Sequence, residues 1–209
     1  MLANINLVWR TPNAEKLILK MARVSSPDPD NKNTSLINYL IKHKHWSPFE
    51  MTNMCVEITT SRAIAPQLLR HKSFTFQEFS QRYAEATDFE FTSPRRQDLN
   101  NRQNSINDLD EDTIEWWNQA QAIIQLNAKQ TYKYALSLGI AKECARMLLP
   151  MSTQTKLYMN GTLRSWIHYF ELRCSEATQL EHRQIALQAR NIFTKEFPVI
   201  SKALENSSL

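Results

Sequence analysis

Glycine is almost absent from this chain, and its scarcity restricts the possible folds more than any other feature. Only Gly139 and Gly161 occur among 209 residues. A G-x-G-x-x-G dinucleotide turn and a G-x-x-x-x-G-K phosphate loop each need several glycines, because these residues let the backbone approach a phosphate closely. Both motifs are therefore excluded. Any nucleotide that this chain binds has to be held by side chains.

The rest of the composition is that of an ordinary globular protein. Hydrophobic residues make up 42% and charged residues 22% of the chain, which is typical of folded proteins. A chain of this length can bury a substantial core, and it shows no internal repeat or linker, so we expect a single domain over residues 1–209. The net charge of +4 favours an anionic partner but does not by itself imply nucleic acid.

The sequence gives no indication of a membrane or secreted location. No stretch approaches the roughly 18 apolar residues that a membrane span needs, and the first residues lack the cationic and apolar regions of a signal peptide. Cys55, Cys144 and Cys174 are widely spaced, odd in number and without a C-x-x-C pair, which argues against a disulfide framework or a zinc site. We expect a cytoplasmic protein without a metal, in which the cysteines are buried structural thiols.

Hydrophobic periodicity predicts an α+β fold that is mostly helical with a small antiparallel sheet. Helices are predicted over 13–24, 35–46, 62–71, 112–138, a short segment before Pro150, 161–174 and 176–196. Strands are predicted over 51–61, 87–93 and 151–159. Turn residues fill 26–33, and the polar segment 94–111 is expected to form an exposed loop. In the first helix Asn13 is the predicted N-cap, and Leu17, Met21 and Val24 recur at helical spacing.

The segment RHKSFTFQEFSQRY, from Arg70 to Tyr83, carries the most informative chemistry. Glu78, Ser80 and Arg82 recur there at every second residue. In an extended chain these three side chains share one face, whereas in a helix the serine would point away from the other two. The spacing therefore predicts an extended segment that presents a carboxylate, a hydroxyl and a guanidinium to a polar ligand.

This segment resembles the signature of the flavin-dependent thymidylate synthases. That signature has R-H-R, seven residues and a serine, with an inner N-E-x-S-x-R-Y; here Arg70, His71 and Lys72 precede Ser80 at the same spacing. Further blocks resemble the family in the expected order over about residues 20–195: MARVSS at 21–26, HWSPFEM at 45–51, CARMLLP at 144–150 and TLRSWIHYFELR at 162–173. The chain differs from the family pattern at four positions, namely Met51, Lys72, Gln77 and His168.

The resemblance implies the fold, reaction and partners of that family. The reaction is the reductive methylation of dUMP to dTMP, with 5,10-methylenetetrahydrofolate as carbon donor and without an enzyme nucleophile. Reduced FAD supplies the hydride and NADPH regenerates it. The resemblance also implies a homotetramer whose active sites are shared between subunits, and the helical face over 112–138 would supply interface area. No nucleic acid or membrane partner is expected.

The resemblance further implies two sets of site residues. Guanidinium groups match phosphate oxygens, so arginines are expected to hold the phosphate while amide, carboxylate and hydroxyl groups hold ribose and base. The dUMP set is Gln67, Arg70, Glu78, Ser80, Arg82, Arg146 and Arg173. The FAD set is Ser47, Arg70, His71, Lys72, Glu78, Arg164 and His168, of which the last two share one face of a predicted helix.

Arg173 is the expected catalytic residue. Its guanidinium would stabilise the anion that develops on the uracil ring, although a cation near a helix C-terminus also favours the helix dipole without any catalytic role. Ser80 is expected to position the substrate, because a nucleophilic serine needs an adjacent base.

Two other functions agree with parts of the sequence. The first is a basic nucleic-acid-binding module, with steeply salt-dependent affinity; its cations would be Arg70, Lys72, Arg82, Arg95 and Arg96. The second is a helical interaction protein with a degenerate site, for which Lys72 and Met51 are the evidence.

Overall fold

The computed structural model describes residues 4–28, 31 and 33–207, and about half of the chain is helical. The helices are α1 Ala14–Ala22, α2 Ser35–Lys42, α3 Ala65–Leu69, α4 Glu111–Ser137, α5 Lys142–Ala145, α6 Leu163–Arg173, α7 Leu180–Glu196 and α8 Pro198–Asn206. The strands are β1 Asn4–Arg10, β2 Asn53–Ser61, β3 Phe74–Glu78, β4 Arg96–Gln97, β5 Ser105–Ile106 and β6 Gln154–Thr162. Short 3-10 helices cover Ser47–Met51 and Arg146–Leu148.

The main sheet has four strands in the order β1-β2-β6-β3. Strand β6 alternates regularly: Thr155, Leu157, Met159 and Gly161 are buried, and the residues between them are exposed or half-buried. This alternation follows from the two-residue period of a strand that has one face against the core. The second sheet is the antiparallel pair β4–β5.

The described residues divide into two compact units. The first unit contains Asn4, Thr59–Arg70 and Gln77–Leu157. The second unit contains the described residues of Ile5–Ile58, His71–Phe76 and Tyr158–Leu209. The fold is the α+β fold that the sequence predicts, and the assignment of residues 1–209 to one domain stays a prediction.

The core of the second unit is built around the aromatic face of α6. Trp166 is fully buried and donates its indole N–H to the carbonyl of Met54 at 2.9 Å. Phe170 packs on Phe193 with 5.4 Å between ring centroids, and Phe193 packs on Phe197 at 4.9 Å. Burial of each such side chain contributes about 1.5–3 kcal/mol of hydrophobic free energy.

The long helix α4 belongs to the first unit and has defined caps at both ends. The side chain of Asp110 accepts a hydrogen bond from the Thr113 amide at 2.8 Å, which satisfies one of the free amides of the first turn. At the other end Gly139 has φ of 83°, a conformation that glycine adopts without strain and that commonly terminates helices. Most of the large apolar side chains of α4 are exposed, including Trp116, Ile123, Ile124, Leu126 and Tyr134.

Most predicted elements are confirmed. All the predicted helices are present. The predicted strands 51–61 and 151–159 are also present, as β2 and β6, but their ends differ by a few residues. Helix α2 ends at Lys42 instead of residue 46, because Lys44 adopts a positive φ and the His45 amide closes the turn on the Leu40 carbonyl at 2.8 Å. Strand β1 and helix α8 were not predicted.

The predicted strand 87–93 is wrong. The structure has only an isolated bridge there, between Phe89 and Thr153. The segment 94–111 contains β4 and β5, and most of its residues are exposed. The predicted turn 26–33 lies partly outside the described residues; within them the Asp28 amide donates to the Ser26 hydroxyl at 3.2 Å.

The predicted extended run through Glu78, Ser80 and Arg82 is also wrong beyond its first residue. Strand β3 ends at Glu78. The amides of Tyr83 and Ala84 then both donate to the Ser80 carbonyl at 3.1 Å. The chain therefore turns at this serine, and the three side chains do not form a row along a strand.

One local prediction about helix α1, the N-cap, is confirmed, and one, the buried face, is corrected. Asn13 occupies the N-cap position with φ of 52°, but its side chain makes no capping hydrogen bond. The buried face consists of Ala14, Ile18 and Leu19, whereas Met21 and Val24 of the predicted stripe are exposed.

The cysteine prediction holds only in part. Cys55 is buried, whereas Cys144 is exposed and Cys174 is half-buried. The thiol of Cys144 lies on the exposed short helix α5, so the prediction of a buried thiol is wrong there.

Candidate active site

In the first unit the carboxylate of Glu78 is fixed by two donors. Its Oε1 accepts from Arg62 Nη1 at 2.5 Å and from Thr155 Oγ1 at 2.9 Å. Glu78 ends β3, Arg62 follows β2 and Thr155 lies in β6. Because donors from two other parts of the chain hold this carboxylate, its direction is set by the fold.

Arg82 and Arg146 converge on the same residue, Glu143. Arg82 Nε donates to a carboxylate oxygen of Glu143 at 3.2 Å, and Arg146 Nε donates to the Glu143 carbonyl at 3.2 Å. The Arg82–Glu143 pair is more than half exposed on both sides, and such surface pairs contribute only about 0–1 kcal/mol. A phosphate group that accepts bidentate hydrogen bonds can therefore replace the carboxylate at little cost.

An open cavity of about 320 Å³ lies beside Arg146 in the first unit. Its polar lining consists of Arg62, Gln81, Arg146 and Thr153, and Met147 and Met151 are among its apolar lining residues. Its volume is within the range of small-molecule sites, roughly 300–1,000 Å³. The cavity offers cationic and amide donors beside an apolar wall.

The other predicted dUMP residues of the first unit occupy separate positions, on α3, at its C-cap and in the turn after β3. Gln67 is half-buried on α3, and Arg70 is exposed at the C-cap of that helix. Ser80 Oγ accepts from the Arg82 amide at 3.3 Å. Among the described residues this hydroxyl contacts no imidazole, so the structure offers no base that would activate it.

In the second unit Arg173 and His71 form a direct hydrogen bond. Arg173 Nε donates to His71 Nε2 at 3.0 Å, so the imidazole is in the tautomer that carries its proton on Nδ1. Burial lowers the pKa of His71, and the neighbouring Arg173 guanidinium lowers it further. At neutral pH a neutral imidazole therefore holds the guanidinium at the end of α6.

Behind this pair lies a buried pair, Tyr169 and His182. The Tyr169 hydroxyl and His182 Nε2 are 3.1 Å apart, and the two residues are 2% and 0% exposed. The Tyr169 ring meets the His71 ring edge-on, with 5.0 Å between centroids. Burial lowers the pKa of His182 to about 4, with smaller contributions from Arg173 and His71, and burial also raises the pKa of Tyr169.

The segment 46–51 packs against one face of α6, also in the second unit. Arg164 donates to the carboxylate of Glu50, and the His168 ring meets the Trp46 ring edge-on at 5.1 Å. Ser47 is exposed at the start of the same 3-10 helix. The shared helix face that the sequence predicts for Arg164 and His168 is therefore confirmed by their contacts with one segment.

The structure places the predicted residues in two groups. Most of the dUMP set belongs to the first unit, and Arg173 belongs to the second. Most of the FAD set belongs to the second unit, and Arg70 and Glu78 belong to the first. Lys72 is exposed, and it makes no hydrogen bond or ion pair with any described residue.

Sequence reasoning missed one residue that lines the cavity, Gln81. It also missed several residues that contact the site residues: Arg62, Glu143, Thr155, Tyr169 and His182. Their positions in the sequence carry no periodicity or motif that marks them as partners. Only His182 had a weak signal, since a histidine among apolar residues of a helix is often a buried, hydrogen-bonded side chain.

Part of the basic surface of the nucleic-acid alternative is engaged within the protein. Arg82 pairs with Glu143, and Arg96 pairs with Asp108 at 2.6 Å. Arg95 donates to the hydroxyl of Ser105 at 2.9 Å. The two ion pairs reduce the positive charge that this surface offers to a phosphate backbone, while Arg70 and Lys72 stay exposed.

The fold is of the α+β class, and each of the two groups of residues contains arginine side chains that hydrogen-bond to neighbouring residues. The model of the family described as thymidylate synthase complementing protein matches residues 6–199. The chain belongs to this family.

Known proteins resemble it over nearly its whole length. The flavin-dependent thymidylate synthase of Synechocystis sp. (strain ATCC 27184 / PCC 6803 / Kazusa) is 59% identical over 192 residues, which cover 91% of this chain and 89% of that protein. The probable flavin-dependent thymidylate synthase of Paramecium bursaria Chlorella virus 1 is 52% identical, covering 92% and 91%.

A solved structure is similar as well. The crystal structure of a UMP/dUMP methylase, PolB from Streptomyces cacaoi bound with 5-Br dUMP, superposes with a TM-score of 0.86 at 25% identity, and the match covers 98% of this chain and 95% of that one. The family resemblance and the fold class expected from the sequence are thus confirmed. Within the described part of the chain, no helix is long and apolar enough to span a membrane.

Proposed function

We propose that this chain is a flavin-dependent thymidylate synthase, which methylates dUMP reductively to dTMP. The observation that carries the proposal is the family match over residues 6–199, together with the 59% identical relative. The geometry supports the proposal, because the first unit holds two arginines on one glutamate and a carboxylate fixed by two donors.

The donor groups of the second unit fit a flavin nucleotide. Arg164 and His168 lie beside Ser47, and Lys72 is an exposed cation without a described partner. Hydroxyl and cationic donors suit a diphosphate, and aromatic side chains such as Trp46 suit a planar ring. When bound, FAD supplies the hydride for the reductive step and is itself reduced by NADPH. In this proposal it is held by Ser47, Arg70, His71, Lys72, Glu78, Arg164 and His168.

The groups of the first unit are assigned to dUMP. Arg82 and Arg146 bind the phosphate, because both guanidiniums already meet at Glu143 through weak or exposed contacts. Arg70 contributes a further positive charge. Gln67, Ser80 and Glu78 hold the ribose and base, with the carboxylate kept in place by Arg62 and Thr155.

Arg173 is assigned to the chemical step. Its Nε–H is used in the bond to His71, so the two terminal nitrogens remain for a substrate. A guanidinium fixed in this way would stabilise the negative charge that develops on the uracil ring as C5 attacks the carbon donor, 5,10-methylenetetrahydrofolate. In this proposal the chain forms no covalent bond to the base, and the absence of an imidazole beside Ser80 among the described residues supports this for the serine.

A homotetramer with active sites shared between subunits remains part of the proposal. The exposed apolar residues of α4, namely Trp116, Ile123, Ile124, Leu126 and Tyr134, support it, since monomeric proteins rarely leave a large apolar surface uncovered.

The visible spectrum of the purified protein tests this function. With FAD added, we expect a bound-flavin spectrum that dithionite bleaches and that dUMP perturbs. We also expect dTMP to form when dUMP, methylenetetrahydrofolate and NADPH are all present, with UMP as the comparison substrate. A colourless protein at saturating FAD, or flavin binding without any response to dUMP, would contradict the proposal.

A further inference from the structure

The core of the second unit contains a polar pair, Tyr169 and His182, among aromatic side chains. The two residues are 2% and 0% exposed, and the Tyr169 hydroxyl lies 3.1 Å from His182 Nε2. Trp166 and Phe170 pack edge-on against the Tyr169 ring, at 5.7 and 5.9 Å between centroids. Two apolar side chains of the same shape can be as stable as such a pair, because a buried hydrogen bond gains little over the bonds that the same groups make to water. Stability alone therefore does not account for these two polar groups.

His71 lies directly against this pair. The centroid of its ring is 5.0 Å from that of Tyr169 and 6.0 Å from that of His182, and both rings are nearly perpendicular to it. Phe74 makes a third perpendicular contact at 6.4 Å. His71 belongs to the turn between α3 and β3, where no regular backbone structure restrains its side chain. The neighbouring rings therefore determine the plane of the imidazole.

The plane of this imidazole decides whether Arg173 can hydrogen-bond to it. Arg173 Nε donates to His71 Nε2 at 3.0 Å, and a hydrogen bond weakens steeply when donor and acceptor are misaligned. Tyr169 and Arg173 are four residues apart on α6, so their side chains share one face of that helix. One helix thus carries both the guanidinium and the ring that supports its acceptor.

We infer that Tyr169 and His182 are positioning residues for the chemical step. Their hydrogen bond holds the Tyr169 ring, this ring holds the imidazole of His71, and the imidazole holds the guanidinium of Arg173. Both residues are buried, so they act through His71 and not on a ligand. The inference rests on the proposed function and extends it to two buried residues behind the guanidinium.

The groups around His71 also keep it uncharged. On α7, His182 is neutral near pH 7, because burial lowers its pKa to about 4. On α6, burial raises the pKa of Tyr169, so the phenol keeps its proton, and the Arg173 guanidinium lowers the pKa of His71 beyond the effect of burial. On β3, Phe74 is apolar. His71 therefore retains the Nε2 lone pair that Arg173 needs.

Three variants of the FAD-loaded full-length protein test the pair. Tyr169→Phe keeps the ring and removes the hydroxyl, His182→Leu removes the imidazole, and His182→Gln keeps a group that can hydrogen-bond to the hydroxyl. Because a small misplacement of a catalytic group slows a reaction strongly, we expect dTMP formation at pH 7 to fall roughly 10-fold for Tyr169→Phe and His182→Leu, and less than about threefold for His182→Gln. The double variant Tyr169→Phe/His182→Leu should also lose roughly 10-fold, since the two residues act as one unit. Losses that multiply in the double variant would contradict this coupling.

The pH dependence of turnover distinguishes positioning from a purely structural role. Wild-type turnover should fall on the acid side as His71 takes up a proton, at a pH below about 6.5, the ordinary pKa of histidine. In Tyr169→Phe and His182→Leu the less enclosed His71 is protonated more easily, so the fall should begin at a higher pH. Reduced thermal stability with unchanged turnover and an unchanged acid limb would overturn the inference. If His182→Leu does not fold, Tyr169→Phe decides the test.

The control is Tyr158→Phe, which removes an exposed hydroxyl that donates to Glu57 at 2.9 Å. Its turnover and pH profile should equal those of wild type. A shifted acid limb in this control would show that the pH profile responds to the loss of any tyrosine hydroxyl, which would remove the support for the pair.

Histidine NMR gives a measurement that does not require turnover. The chain has five histidines, and the His71 signals are those lost in His71→Gln. We expect an unprotonated Nε2 and a pKa below about 6.5 for His71 in wild type, and a higher pKa in Tyr169→Phe and His182→Leu. A His71 pKa that neither variant changes would overturn the inference. A wild-type protein that gives the expected His71 signals but forms no dTMP would instead contradict the proposed function.

Discussion

Arg173 is oriented by a histidine that carries no charge at neutral pH. The 3.0 Å bond from its Nε to His71 fixes the plane of the guanidinium, and the lowered pKa of His71 keeps the acceptor available. A protonated His71 would have no lone pair for this bond and would repel the cation. The hydrogen bond thus joins two residues that were predicted to bind different ligands: Arg173 was predicted to bind dUMP, and His71 was predicted to bind FAD.

Replacement of Arg173 should separate catalysis from cofactor binding. For Arg173→Ala we expect dUMP-dependent turnover to fall by roughly 10²–10³, the usual cost of removing an electrostatic donor from a developing anion. The bound-flavin spectrum should be retained. Steady-state formation of dTMP and the flavin absorbance of the same sample provide the two measurements.

Arg102→Ala is the matched control, because Arg102 lies in an exposed part of the β4–β5 hairpin; its turnover should equal that of wild type. Wild-type turnover in Arg173→Ala would refute the catalytic assignment. Loss of the flavin spectrum in that variant would mean that this arginine acts on the cofactor.

At the level of elements, the approach of β6 to β3 depends on one glycine. A Cβ placed on Gly161 would lie 2.4 Å from Cδ1 and 2.5 Å from Cε1 of Phe74. Phe74 is buried and packs edge-on against Trp166 with 4.8 Å between centroids. The ring therefore has little freedom to retreat, and glycine is required here for space.

We predict that Gly161→Ala destabilises the protein by about 1–3 kcal/mol, the usual cost of overpacking a core. The measurement is the free energy of unfolding in urea. In the double variant Phe74→Leu/Gly161→Ala, the smaller side chain should accept the methyl group, so the combined loss should be clearly less than the sum of the single losses.

Gly139→Ala is the control for this coupling. A Cβ at Gly139 has open space, and only its φ of 83° disfavours another residue. We expect a loss of about 1–2 kcal/mol that Phe74→Leu leaves unchanged. Strict additivity of Gly161→Ala with Phe74→Leu would contradict the steric explanation.

The sequence predicts helices and strands well where hydrophobic periodicity is strong. It predicts them poorly where a strand forms only because it pairs with a distant strand. Helix α4 has its capping residue next to it in the sequence, and strand β2 shows its alternation within its own residues. Strand β1 lies at the sheet edge and buries mainly Ile5, so its pattern is weak. The alternation of Glu78, Ser80 and Arg82 predicts an extended segment, but the chain turns at Ser80. No glycine or proline in this segment indicates that turn.

At the level of the whole molecule, the family blocks predict which residues belong to the site but not which residues hold them. The bond between Arg173 and His71 joins residues 102 positions apart, and that between Thr155 and Glu78 joins residues 77 positions apart. Such pairs form only when the chain has folded, and no local pattern specifies them. The partners found in the structure therefore explain how the predicted side chains are held.

The buried histidines also make the stability of the molecule depend on pH. His182 has a pKa of about 4, and the pKa of His71 is lowered as well. Burial is the main cause in both rings, and the nearby Arg173 guanidinium lowers both pKa values further. In the unfolded chain a histidine titrates near about 6.5. As the pH falls below that value, the unfolded chain binds protons that the folded chain excludes.

The stabilising contribution of these neutral histidines is therefore fully present above about pH 6.5. As the pH falls towards 4, the free energy of unfolding decreases by up to about 1.4 kcal/mol per pH unit for each excluded proton. We predict that the wild-type free energy of unfolding in urea decreases more steeply between pH 7 and 5 than that of His182→Phe, which cannot titrate there. His43→Gln, at an exposed position, should follow the wild-type curve. Parallel pH curves for wild type and His182→Phe would show that His182 is protonated in the folded protein at the same pH as in the unfolded chain.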